Sequence, residues 1–242
     1  MTYNPTIVAH RGLHDRYPEN SLAAFEDACR IGLKWVECDV WPTREGAAVV
    51  IHDETLDRTT TGKGIVWWHR WDQLRHLRLR RADGTVDESS CIPTLGELAN
   101  RPVERLLVEI KPPDSPAFVR EVIRMLSNRR GRERWMIQSF DEANLFHAKA
   151  IDADLSVAFL VEDRQALTRG VVNGWRNIYM RHDLLDEQVA ANLHGRDMTI
   201  GVWTPNRTED LQRVIALRAD VIITDDPVRA ALLLKPSRFK EY

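Results

Sequence analysis

Short apolar runs recur along the chain, and helix-like stretches separate most of them. The runs are "TIVAHRG" (6–12), "WVECDV" (35–40), "RLLVEIK" (105–111), "WMIQSF" (135–140), "SVAFLV" (156–161), "NIYMRH" (177–182), "TIGVWT" (199–204) and "DVIITD" (220–225). Each is close to continuously apolar, which is how a strand buried on both faces reads. Between them, "ENSLAAFEDACRIG", "PAFVREVIRMLSNR", "DEANLFHAKAIDA", "LLDEQVAANLHG" and "TEDLQRVIALRA" read as amphipathic helices. Strands alternating with helices imply parallel pairing. Eight such units in 242 residues predict a (β/α)8 TIM barrel. A doubly wound open sheet is the competing layout, and the absence of a glycine-rich phosphate loop after the first strand counts against it.

Two stretches break the alternation. In "VWPTREGAAVVIHD" (40–53) a second extended run follows the second strand with no room for a helix. "REG" (44–46) supplies a turn, so residues 37–53 read as a hairpin folded about Glu45. That fold sets Cys38 opposite His52 and Asp39 opposite Ile51, returning His52 to the level of Glu37 and Asp39. The second break, residues 54–93, is too long for a plain loop and predicts a small insertion after the second strand. The whole of 1–242 then forms a single catalytic domain. No internal repeat or low-complexity segment interrupts it.

Composition changes this picture little. The chain is 43% hydrophobic and 29% charged with a net charge of −2, which gives no global pull toward nucleic acid or an anionic membrane. Anion binding must therefore be local. Cys29, Cys38 and Cys91 are odd in number and form no CxxC pair, which suits a reducing compartment. No basic-then-apolar leader and no apolar run of ~18 residues is present. The expectation is a cytoplasmic protein without a transmembrane segment; its oligomeric state is unspecified.

Chemistry enters at the strand ends, where barrel active sites lie. These ends carry His10 and Arg11, Glu37 and Asp39, His52 and Asp53, Glu109 and Lys111, Gln138, Trp203 and Asp225. Side chains two apart share a strand face, so Glu37 and Asp39 point together, as do Glu109 and Lys111. Three converging carboxylates repel one another unless a cation sits among them. An all-oxygen set favours Mg2+ or Ca2+ over zinc. His10 and His52, with ordinary pKa values near 6.5, suit acid–base work. Arg11 can hold two phosphate oxygens in a fork and Lys111 can add a point charge. Together these groups fit transfer at a phosphoryl centre.

With "AHRG" (9–12), "PENS" (18–21), "ECDV" (37–40), "VVIHDETLDRTTTGKG" (49–64), "EIK" (109–111), "QSF" (138–140), "VWTPN" (202–206) and "TDDP" (224–227) in this order, the chain resembles the glycerophosphodiester phosphodiesterases. The resemblance implies a TIM barrel with 54–93 as its insertion. By it, Glu37, Asp39 and Glu109 match metal ligands, His10 and His52 the catalytic pair, and Arg11 and Lys111 the phosphate contacts. Asn20 looks like the asparagine that supports the site, and Trp203 resembles the aromatic wall beside the glycerol end. The implied reaction is hydrolysis of a small glycerophosphodiester to an alcohol and glycerol 3-phosphate, with one divalent cation. Attack comes from water or from the substrate's own hydroxyl, and which histidine acts as acid stays open. "PENS" replaces the commoner "PENT", "ECDV" replaces "ELDV" and "WTPN" replaces "WTVN". Ser21 can cap the next helix as threonine would. Pro205 alters the loop after Trp203.

The other readings are a lysophospholipase D-like or cyclising enzyme on lipid substrates, a non-catalytic phosphate-binding barrel, and a sugar-phosphate isomerase. Several features stay outside the site. "WWHRW" (67–71) reads as packing for the insertion, and "RHLRLRR" (75–81) and "NRRGRER" (128–134) as solvated faces. His182 is a strand-end candidate, Asp225 reads as a loop-fixing cap, and Cys38 as a packing residue.

Overall fold

The computed structural model describes residues 3–112, 114–128 and 131–234; Arg129 and Arg130 of "NRRGRER" lie outside them. The strands are β1 (Thr6–Ala9), β2 (Trp35–Pro42), β3 (Ala48–Val50), β4 (Arg78–Arg80), β5 (Val86–Cys91), β6 (Arg105–Ile110), β7 (Trp135–Ser139), β8 (Val157–Val161), β9 (Asn177–Arg181), β10 (Thr199–Trp203) and β11 (Val221–Thr224). The helices are α1 (Leu22–Arg30), α2 (Trp71–Leu74), α3 (Leu95–Ala99), α4 (Pro116–Ser127), α5 (Glu142–Ile151), α6 (Arg164–Val172), α7 (Glu187–His194), α8 (Thr208–Ala216) and α9 (Pro227–Leu234). They group into two compact units. No helix among the described residues is long and apolar enough to cross a membrane.

In the unit of residues 11–157 the strand order is β7-β6-β2-β3. β2 and β6 run parallel with Asp39 beside Glu109, and β6 and β7 run parallel with Glu109 beside Gln138. β7 is buried along its full length, which explains its unbroken apolar reading. β3 returns antiparallel to β2 with Val40 opposite Val50 and Trp41 opposite Val49. The expected hairpin register is therefore the one formed, and Ile51 N donates to Asp39 O at 3.0 Å one step further on. Ser21 caps α1, accepting from Ala24 N at 3.1 Å.

The segment between β3 and α3 builds its own small core. Trp41, Val49, Ile51, Leu56, Val66 and Leu74 pack together, with Trp67 and Trp71 partly buried against them. Trp67 stacks on Trp41 at 4.8 Å between ring centroids. Trp68 departs from the packing expectation and is 67% exposed. The arginines of "RHLRLRR" do more than solvate a face. Arg80 Nε donates to Thr60 O at 2.9 Å, tying β4 to the preceding loop, and Arg78 Nη1 donates to Cys91 Sγ at 2.9 Å across the β4–β5 pair.

The second unit comprises residues 3–10 and 158–234. Its order is β8-β9-β10-β11-β1, with every neighbouring pair parallel. β8 and β11 are wholly buried, and aspartates at the helix starts cap the connections: Asp163 accepts from Ala166 N and Asp186 from Val189 N. In this unit β1, β9, β10 and β11 end one to three residues short of their sequence bounds. β1 stops at Ala9 because Arg11 and Gly12 adopt left-handed conformations, φ 55° and 84°. A Cβ on Gly12 would meet Ala24 backbone and side-chain atoms at 2.8 Å, so only glycine lets the chain turn this close to α1.

Candidate active site

Within the first unit, Glu37 and Asp39 project from one face of β2, and the parallel register sets Glu109 of β6 beside Asp39. All three are buried (1%, 0% and 7% exposed). Each offers an oxygen within 4.8 Å of the others'. Lys111 Nζ lies 3.0 Å from Asp39 Oδ1 and 2.7 Å from Glu109 Oε1. The Arg11 backbone N–H donates to Glu37 Oε2 at 3.1 Å, while its Nε lies 3.3 Å from Asp39 Oδ2. Asn20 Nδ2 donates to Asp39 Oδ2 at 2.8 Å. Asn20 reaches it from a left-handed conformation, φ 59°, in which its N–H donates to Arg11 O at 3.0 Å. Sequence singles out Asn20 only by resemblance, as an asparagine that supports the site.

Three buried acids face two cations, and the electrostatics register the mismatch. Burial, then the charges of Asp39 and Glu109, push the Glu37 carboxyl well above its usual range. Burial pushes Glu109 up to about 7 despite Lys111 beside it. Burial alone would pull Lys111 and Arg11 down, but the neighbouring carboxylates outweigh it and hold both cations above their usual values. Gln138 Nε2 donates to Glu37 Oε1 at 3.2 Å, yet its buried Oε1 has no hydrogen-bond partner among the described residues. An all-oxygen donor set short of positive charge fits a hard divalent cation.

His52 follows β3, and Trp41 Nε1 donates to its carbonyl at 2.9 Å. Its Nδ1 donates to Asp53 Oδ1 at 2.7 Å. Burial, opposed by the nearby charge of Asp39, pulls the imidazole below 6.5. Arg58 grips Asp53 with two bonds, Nε to Oδ2 at 2.6 Å and Nη2 to Oδ1 at 2.8 Å, and so holds Asp53 down to about 2. Its other edge grips Glu19, Nη1 to Oε2 at 2.8 Å and Nη2 to Oε1 at 2.9 Å. Glu19 in turn accepts from Arg11 Nη1 at 2.9 Å.

In the second unit, His10 Nδ1 donates to Asp225 Oδ1 at 2.6 Å, and Asn206 Nδ2 donates to Asp225 Oδ2 at 2.6 Å. Trp203 Nε1 donates to Tyr179 O at 3.1 Å. The capping role expected of Asp225 belongs to its neighbour: Asp226 Oδ1 accepts from Arg229 N at 2.9 Å in the first turn of α9. His182 sits against α8, where Arg213 Nη2 donates to its carbonyl at 2.7 Å and approaches its Nδ1 at 3.1 Å.

The first unit thus gathers Glu37, Asp39, Glu109, Arg11, Lys111 and Asn20, with His52 in the field of Asp39; His10 and Trp203 belong to the second. Glu19, Arg58 and Asn206 were not picked out from sequence. Glu19 and Arg58 lie inside "PENS" and "HDETLDR", and charged residues this close to a candidate histidine were the only available signal.

The model of the glycerophosphoryl diester phosphodiesterase family matches residues 10–229. A glycerophosphodiester phosphodiesterase of Caldanaerobacter subterraneus subsp. tengcongensis is 31% identical over 234 residues, covering 91% of this chain and 94% of the relative. A glycerophosphodiester phosphodiesterase structure from Parabacteroides distasonis shares 23% identity with a TM-score of 0.82, over 98% of this chain and 99% of that one. An Oleispira antarctica phosphodiesterase, solved with the product sn-glycerol-3-phosphate, shares 23% identity with a TM-score of 0.85, over 95% and 96%. The fold is the (β/α)8 barrel of these structures.

Proposed function

Because the chain belongs to the glycerophosphoryl diester phosphodiesterase family of enzymes, we propose that it hydrolyses small glycerophosphodiesters to an alcohol and glycerol 3-phosphate. The reaction runs in one catalytic domain, with 54–93 as an insertion. The observation that carries this reading is the buried trio Glu37, Asp39 and Glu109 with Arg11 and Lys111 against it. When bound there, Mg2+ or Ca2+ supplies positive charge to the diester's non-bridging oxygens.

Arg11 and Lys111 bind phosphate oxygens from the same rim. His52, neutral near pH 7, takes the proton of the nucleophile at Nε2, because Nδ1–H is committed to Asp53. The nucleophile is water or the glycerol hydroxyl next to the phosphate. His10 donates from Nε2 to the departing alcohol, and Asp225 supports its charged form. Trp203 walls the glycerol end. Cys29, Cys38 and Cys91 as reduced thiols suit a reducing cytoplasm.

Glycerophosphocholine incubated with the enzyme tests the reading. Glycerol 3-phosphate should appear, stop on chelation, and return with added Mg2+ or Ca2+. Inactivity under every divalent metal and across a panel of glycerophosphodiesters would leave a phosphate-binding barrel instead.

A further inference from the structure

Arg58 carries four hydrogen bonds to two carboxylates, Asp53 and Glu19. Those carboxylates serve different parts of the site. Asp53 holds the Nδ1 edge of His52, and Glu19 holds a guanidinium nitrogen of Arg11. The chain from His52 to Asp53, Arg58, Glu19 and Arg11 is continuous, with every link between 2.6 and 2.9 Å. It spans 39 residues of sequence between Glu19 and Arg58. Glu19 is well covered although Arg58 itself is half exposed.

We infer that Arg58 is a positioning residue that sets the ring of His52 and the fork of Arg11 as one unit, through Asp53 and Glu19. The geometry requires arginine. A planar guanidinium presents two edges, each able to grip one carboxylate in parallel bonds. An ammonium is a point donor and cannot hold both planes at once. Both carboxylates are also negative charges beside functional groups. Arg58 offsets them, so Asp53 fixes the His52 tautomer without presenting an uncompensated anion to it. The lone pair of Nε2 is left facing away from Asp53, as a proton acceptor needs. The inference rests on the proposed roles of His52 and Arg11, but its test need not.

The decisive measurement is the 15N spectrum of the imidazole rings at pH 8, where His52 is neutral. The intact protein should show His52 locked with its proton on Nδ1. Arg58→Gln should shift it toward a mixture containing the Nε2–H form. Arg58→Lys, which keeps the charge, should fold and show a weaker version of the same change. In activity, Arg58→Gln should lower kcat/KM by about 10- to 100-fold, as loss of an orienting partner does, with kcat falling and KM rising together. Asp53→Asn should act mainly on kcat and Glu19→Gln mainly on KM. Adding Glu19→Gln to Arg58→Gln should raise KM no further. Unchanged His52 ring signals in both Arg58 variants would overturn the inference, whatever their activity. A fully active His52→Ala enzyme would instead sink the proposed mechanism and leave the tautomer result standing.

Discussion

Two histidines in this molecule are supported alike at the first contact and differently at the second. His10 and His52 each present Nδ1 to an aspartate, at 2.6 Å and 2.7 Å. Asn206, a neutral amide, donates to Asp225, while Arg58, a full positive charge, donates to Asp53. Geometry at the ring is nearly equal, so orientation does not distinguish the pair. Charge does. Arg58 offsets the charge of Asp53 and leaves His52 to the effect of burial, which favours the neutral ring. That support suits the proposed role of His52 as the base.

The largest test of this comparison removes the rings. His10→Ala and His52→Ala should each cut kcat by two or more orders of magnitude with the melting temperature nearly unchanged, measured by steady-state release of glycerol 3-phosphate. Activity near the native rate in either variant would break the pairing outright. Next comes the pH profile of kcat/KM. Its acid limb should fall below pH 6.5, because the pKa of His52 is lowered and activity is lost only as that ring protonates. Asp225→Asn should lower kcat by about 10- to 100-fold, since it alters the group that holds His10 Nδ1. A kcat that stays put would reassign the acid.

A smaller effect separates the supports. Asn206→Ala should cost about tenfold or less in kcat, because Asp225 keeps its bond to His10 when one amide is lost. The smallest concerns stability. Asp53 drops from its usual 3.8 to about 2 in the folded state. Its contribution is therefore complete above pH 4 and lost as pH falls through 2. Asp53→Asn should flatten the decline of melting temperature between pH 4 and 2 by about 2 °C.

Sequence reasoning reached the elements whose geometry follows from local rules. Period-two alternation put Glu37 with Asp39, and a three-residue turn set the hairpin register, so His52 could be counted into place. The eight-strand pattern was legible because buried strands are apolar throughout. What escaped were contacts made by reach. Arg58 finds Glu19 across 39 residues with a long, half-exposed side chain, and no spacing encodes that. Asp225 and Asp226 were confused because adjacent aspartates before a helix look alike. One caps α9 and its neighbour turns to His10, a choice made by backbone direction at the end of β11.

The β2–β3 turn has a consequence for how this enzyme can vary. Every pairing in the hairpin sums to the same residue number, so the site reads the parity of the loop at 43–47. Adding or removing two residues there lengthens or shortens the ribbon and leaves His52 facing the same way. A one-residue change carried into the pairing would invert the returning strand and send the imidazole to the opposite side. Length changes at that tip are therefore tolerated only as far as the loop absorbs them and Val40 stays opposite Val50.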